Sequence, residues 1–217
     1  MRIGFLPLVD AALPILAREL GYGVEEGLAL ELVRDMSWAT VRDRLVYGRT
    51  DAAHLLAPLA IAATLGLERP AAELSVPFVL GLNGNAMTLS NALADEVADD
   101  GVGRDGLSDP VEAGQRMAAV ARVRAAAGRK LRLGVVHRYS SHNYMLQYWL
   151  RGSGASLDNI EIVVIAPPFA ADALAAGEVD GICVGEPWNS VAVDRGAPLA
   201  DKEVASLAVR DLVDRPD

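Results

Sequence analysis

Strand-like and helix-like segments alternate along this chain from its first residues. That order permits few folds, because strands joined by helical crossovers run parallel and need helices over their faces. RIGFLPL (2–8) reads as a strand, and the helix predicted over about 11–21 carries Leu13, Leu16 and Leu20 on one face, with Pro14 in its first turn and Gly21 and Gly23 at its end. LALELVRD (28–35) alternates as a second strand. Ser37 can cap a helix over about 38–47, with Val41 and Leu45 inward and Arg42, Asp43 and Arg44 outward. DAAHLLAP (51–58) is a short third strand, followed by an Ala-rich helix to about 65.

ELSVPFVLGLNGNAMTLSN (73–91) breaks this rhythm. Two apolar extended pieces flank Gly81, Asn83, Gly84 and Asn85 with no helix between them, which is how a chain passes from one lobe to another. A short acidic helix, a Gly- and Asp-rich loop (about 100–110) and a long Ala-rich helix (about 110–127) follow. A second series then runs through LRLGVVH (131–137), a helix at 141–152, IEIVVIAP (160–167), a helix at 169–177 and DGICVG (180–185). VGEPWN (184–189) again places Gly and Pro at a strand end. The expected fold class is α/β, two-lobed, with mostly parallel sheets and crossover helices. Residues 1–82 form the N-terminal part of lobe 1, 83–85 the first crossover, 86–184 lobe 2, and 185–217 the second crossover and a partial return to lobe 1.

Composition narrows the function classes. Hydrophobic residues make up 52% of the 217, yet no run approaches the roughly 18–20 uninterrupted apolar residues of a membrane-spanning helix. A net charge of −9 argues against direct binding of nucleic acid through its phosphate backbone. It leaves a small anion open, since such a site is set by local N–H groups and dipoles. Cys183 has neither a disulfide partner nor metal-ligand spacing around it and reads as a small buried strand residue; no metal and no cofactor are expected. MRIGFLPLVDAALPIL (1–16) lacks the features of a secretory signal, so a cytoplasmic location is expected if Met1 is the native start and a periplasmic one if an export signal has been trimmed.

In open α/β sheets ligands lie beyond the carboxyl ends of the strands, where helix N-termini present free N–H groups. Those positions hold Pro7 to Asp10, Ser37 and Trp38, His54, Asn83 to Asn85, His137 to His142, Pro167 and Pro168, and Gly185 to Asn189. Trp38 can form a flat cleft wall or simply pack near a cap. Asn83, with Gly84 beside it, offers two donors and an acceptor, or serves only as a turn residue. His142 follows Ser140 and Ser141, a grouping that suits an oxyanion and equally suits two capping serines with a histidine beside them. Tyr144, Tyr148 and Trp149 read as core, and His54 as a satisfied core histidine. Glu186 can accept a proton-bearing ligand, bind a metal with help from other groups, or simply hydrogen-bond the hinge. No Gly-x-Ser-x-Gly nucleophile elbow is present and the 100–110 loop lacks a Gly-Lys-Ser/Thr ending, so no enzyme is expected.

GFLPLVDAA (4–12), SWATVRDRLVYG (37–48), DAAHLLAPLAIAATLGL (51–67), LNGNAMTLS (82–90), SSHNYMLQYWL (140–150) and DGICVGEPWN (180–189) together resemble the nitrate/bicarbonate-binding family of ABC-transporter substrate-binding proteins, nearest its cytoplasmic nitrate/nitrite sensors. The resemblance implies a periplasmic-binding-protein-like fold of type II that closes on a planar oxyanion. It implies Trp38 as the cleft tryptophan, Asn83 in the place of an amide more commonly Gln, and His142 as the anion-binding histidine; Ser141 joins the candidates from its place beside His142. Gly185 would lend its backbone to the ligand, and Glu186 would lie at the ligand's edge.

Family members continue beyond the second crossover, which implies an incomplete first lobe here. The expected function is capture of a small oxyanion, nitrate or nitrite first, with ligand status signalled to a protein partner. In the sensor branch that partner is an RNA-binding antiterminator, so RNA is not contacted directly. The alternative is the substrate-binding component of an ABC importer for nitrate, nitrite or bicarbonate, whose partner is the permease.

Overall fold

The computed structural model describes residues 1–82, 85–98, 109–196 and 206–208. The chain divides into two compact units, one of Met1–Leu82 with Tyr139–Ser141, the other of Asn83–Arg138 with His142–Asp217.

In the first unit β1 (Arg2–Phe5) lies between β2 (Glu31–Arg34) and β3 (Ala52–Ala53), parallel to both. Between β1 and β2 run the helix α1 (Ala12–Glu19) and the single turn α2 (Tyr22–Glu25), separated by Gly21 with φ +81°, a left-handed backbone that suits glycine. Ser37 has extended backbone and accepts a 3.2 Å hydrogen bond from the Thr40 N–H, which starts α3 (Trp38–Val46) just past the end of β2. The cap satisfies one of the four N–H groups that a helix start leaves open, and it fixes Trp38 as the first helical residue. The third strand is shorter than 51–58 because α4 (Ala57–Thr64) begins there, with Pro58 in its first turn. Proline has no N–H for a ladder and a φ already suited to a helix start.

One expectation for this unit needs correction. Arg42 is buried, not outward: its guanidinium is 2.8 Å from Asp43 and 3.8 Å from Glu68, and that pairing offsets part of its desolvation. Residues 70–82 include neither helix nor strand. The apolar face of α1 is exposed, with Leu13 at 51% and Leu16 at 47%.

The second unit holds a sheet of five described strands. β5 (Leu131–Val135), β6 (Ile160–Val164) and β7 (Gly181–Gly185) are parallel, whereas β4 (Asn85–Leu89) runs antiparallel to β7 and to β8 (Ser206–Ala208). Their order across the sheet is β6-β5-β7-β4-β8. Helices α5 (Asn91–Ala98), α6 (Pro110–Ala126), α7 (Ser141–Gly152), α8 (Pro167–Ala175) and α9 (Trp188–Gly196) accompany it. Met87, Leu93, Met117, Leu133, Leu146 and Leu150 form the centre of its core, and burying each such side chain contributes about 1.5–3 kcal/mol. Asp109 caps α6 by accepting from the N–H groups of Val111 and Glu112.

A partial return of 185–217 to lobe 1 is expected from the sequence, but the described part of that segment belongs to the second unit. α9 packs on α8, β4 and β7, and β8 adds to the edge of β4. The physical reason is a buried polar tie: Asn189 donates to the Val184 carbonyl and accepts from the Thr88 hydroxyl.

Candidate functional site

In the first unit three side chains gather past the carboxyl ends of the strands. Trp38 opens α3 and is 1% exposed; His54 follows β3 and is 3% exposed. Their rings meet edge to face, with centroids 5.0 Å apart and planes at 75°, a favoured aromatic geometry. The His54 N–H donates to the Gly4 carbonyl at 2.9 Å, which continues the β1–β3 pairing. The third side chain is Asp10, whose Oδ2 lies 3.1 Å from Nε2 of His54. A carboxylate at that distance calls for a proton on Nε2.

His54 is therefore a core histidine with one nitrogen engaged and one not. Its Nδ1, like the Nε1 of Trp38, is buried without a hydrogen-bond partner among the described residues. Each such group costs roughly 1–3 kcal/mol, and buried orphans of this kind call for an explanation. The Asp10–His54 link is not legible in the sequence. Both residues stand at strand-end positions, but nothing in their wide separation marks them as neighbours.

In the second unit His142 is 4% exposed in the first turn of α7, beyond the end of β5. Its carbonyl accepts from the Cys183 thiol at 3.8 Å, which ties the start of α7 to β7. Next to it, Asn143 donates to the Arg138 carbonyl at 2.8 Å and accepts from Gln147 at 2.8 Å, so the turn into α7 is braced from within. Ser141 is half-buried at the helix start, and Ser140 is fully buried. Burial pushes the Cys183 thiol up to about 12.

Gly185 ends β7 directly opposite Asn85 in the antiparallel register. Glu186 turns toward its own helix: its carboxylate accepts from the Ser190 N–H at 3.2 Å and from the Ser190 hydroxyl at 2.9 Å. Asn83 and Gly84 lie outside the described residues. Trp149 is core, its indole donating to the Pro110 carbonyl at 2.8 Å. Tyr144 and Tyr148 correct the expectation of core packing: they are exposed, since the buried stripe of α7 runs through His142, Leu146, Trp149 and Leu150. Among the described residues no group of three or more His, Cys, Asp or Glu is placed to hold a metal ion. No described helix is long and apolar enough to cross a membrane.

Comparison with known proteins agrees with this architecture. The nitrate import ATP-binding protein NrtC of Synechocystis is 34% identical over 196 residues, covering 88% of this chain and 27% of that protein. The nitrate/nitrite binding protein NrtA of Synechococcus elongatus is 32% identical over 203 residues, covering 89% of this chain and 43% of that protein. The crystal structure of the periplasmic nitrate-binding protein NrtA from Synechocystis superposes with a TM-score of 0.77 at 25% identity, covering 90% of this chain and 49% of that one. The chain thus spans less than half the length of these relatives, and its fold is that of the periplasmic binding proteins. The model of the NMT1-like family matches residues 1–203, and the chain belongs to that family.

Proposed function

We propose that this chain captures a small planar oxyanion, nitrate or nitrite, and that Trp38 and His142 are among its contacts. The observation that carries the reading is the likeness to nitrate/nitrite binding proteins along nearly the whole chain. Trp38 and His142 support it, because each is a buried ring at a helix start past the carboxyl end of a parallel strand, where N–H groups and the helix dipole favour an anion. Capture without turnover is part of the same proposal.

Occupancy would be read by a protein partner. The sensor reading makes that partner a regulator; the importer reading makes it a transport component. The second is favoured by a specific observation, namely that similar segments occur in proteins named as nitrate import and bicarbonate transport ATP-binding proteins.

Calorimetric titration with nitrate, nitrite and hydrogencarbonate, with and without calcium, tests the reading. Saturable binding of at least one anion is expected. A folded sample that binds none of the three contradicts it.

A further inference from the structure

Trp38 is enclosed, yet no polar contact among the described residues fixes its indole, whose Nε1 has no hydrogen-bond partner there. The plane of the ring is set by packing, and His54 supplies the aromatic part of that packing at 5.0 Å and 75°. His54 in turn is held at its backbone by Gly4 and at its Nε2 by Asp10. Asp10 itself is 44% exposed and is crowded by the chain at Gly81, where an added Cβ would come within 3.2 Å of the Asp10 Cβ. A line of contacts therefore leads from a half-exposed carboxylate to the enclosed tryptophan.

We propose that His54, anchored by Asp10, is a positioning residue for Trp38 and so tunes anion affinity without touching the anion. This rests on the reading of Trp38 as an anion contact. The imidazole edge restricts the tilt of the indole, and the Asp10 carboxylate restricts rotation of the imidazole by holding one of its nitrogens. A histidine serving only as core filler would affect stability and leave a folded protein's affinity alone. A positioning residue affects affinity through Trp38.

Two readouts on the full chain test this. The first is the indole N–H cross-peak of Trp38 in a ¹⁵N–¹H correlation spectrum without ligand, assigned by its loss in Trp38→Phe. His54→Ala moves that peak merely by removing a neighbouring ring, so Asp10→Ala decides, because it leaves the His54 ring in place. Asp10→Ala is expected to shift the Trp38 peak and leave those of Trp149 and Trp188 in place. An unmoved Trp38 peak overturns the proposal.

The second is a double-mutant cycle read by nitrate titration. His54→Ala is expected to weaken binding about three- to tenfold, the scale of one aromatic contact, and to cause no further loss in a Trp38→Phe background. Equal losses in both backgrounds overturn the proposal. Asp10→Ala, at a half-exposed position, takes the place of His54→Ala in the cycle should the latter fail to fold. Should the wild-type chain bind no anion, the reading under Proposed function fails, while the ligand-free spectrum still decides whether the Asp10–His54 pair positions Trp38.

Discussion

The Thr88 hydroxyl donates a 2.9 Å hydrogen bond to Oδ1 of Asn189, 101 residues later in the chain, and both side chains are buried. The Asn189 amide also donates to the Val184 carbonyl, so one side chain joins α9 to β4 and β7. Asn189→Ala leaves two buried polar groups unmatched and is expected to cost roughly 2–4 kcal/mol. The shift of the urea midpoint measures it, and an unchanged midpoint contradicts the assigned tie.

Arg124 organises another part of the same unit. It grips Glu96 through two nitrogens at 2.9 and 2.7 Å and meets Asp180 at 2.7 Å. The Glu96 hydrogen bonds, followed by those of Asp180, hold the guanidinium well above its ordinary range. Arg124→Met should cost about 1–3 kcal/mol, less than a fully buried pair because the Glu96 carboxylate is half-exposed. Arg124→Lys should recover only part of it, since an ammonium cannot reproduce the two-pronged contact. Thermal unfolding of the two variants checks the order.

Gly114 reverses a general rule. Alanine normally stabilises a helix interior over glycine by about 1 kcal/mol, but a Cβ on Gly114 would run into the Ser153 hydroxyl and come 2.8 Å from Nε1 of Trp149. Gly114→Ala is therefore expected to destabilise by about 1–3 kcal/mol, as measured by chemical denaturation. A stabilised variant would contradict the packing of α6 on α7.

Cys183 gives the pH dependence. Its thiol stays protonated in the folded chain up to about 12, against an ordinary value of 9.0. Above the ordinary value the unfolded chain has released a proton that the folded chain retains, so this residue's contribution to stability is present below pH 9.0 and falls as pH rises toward 12. Cys183→Ala should flatten that part of the stability profile. In the folded protein at about pH 8 the thiol should resist alkylation, as followed by mass spectrometry.

Much of the fold is legible in the sequence because its signals are local. The Ser37 cap, the strand character of 2–8 and the long helix begun by Pro110 each depend on neighbours within a turn or two. What escapes depends on partners far apart in sequence. Arg42 reads as outward until Glu68 is placed beside it, and α9 reads as a return path until Thr88 is placed against Asn189. The same holds for the candidate site: Trp38 and His142 are singled out as candidates by their places at strand ends, whereas the contact of His54 with Asp10 requires the folded chain.

Anion capture stands or falls on the calorimetric nitrate affinity of the wild-type chain beside His142→Ala and Trp38→Phe, on samples shown to be folded. Saturable nitrate binding is predicted, weakened about ten- to a hundredfold in His142→Ala, the cost of one charge-assisted hydrogen bond, and weakened also in Trp38→Phe. A nitrate affinity that is unchanged in both variants would contradict the assignment of these two rings to the anion.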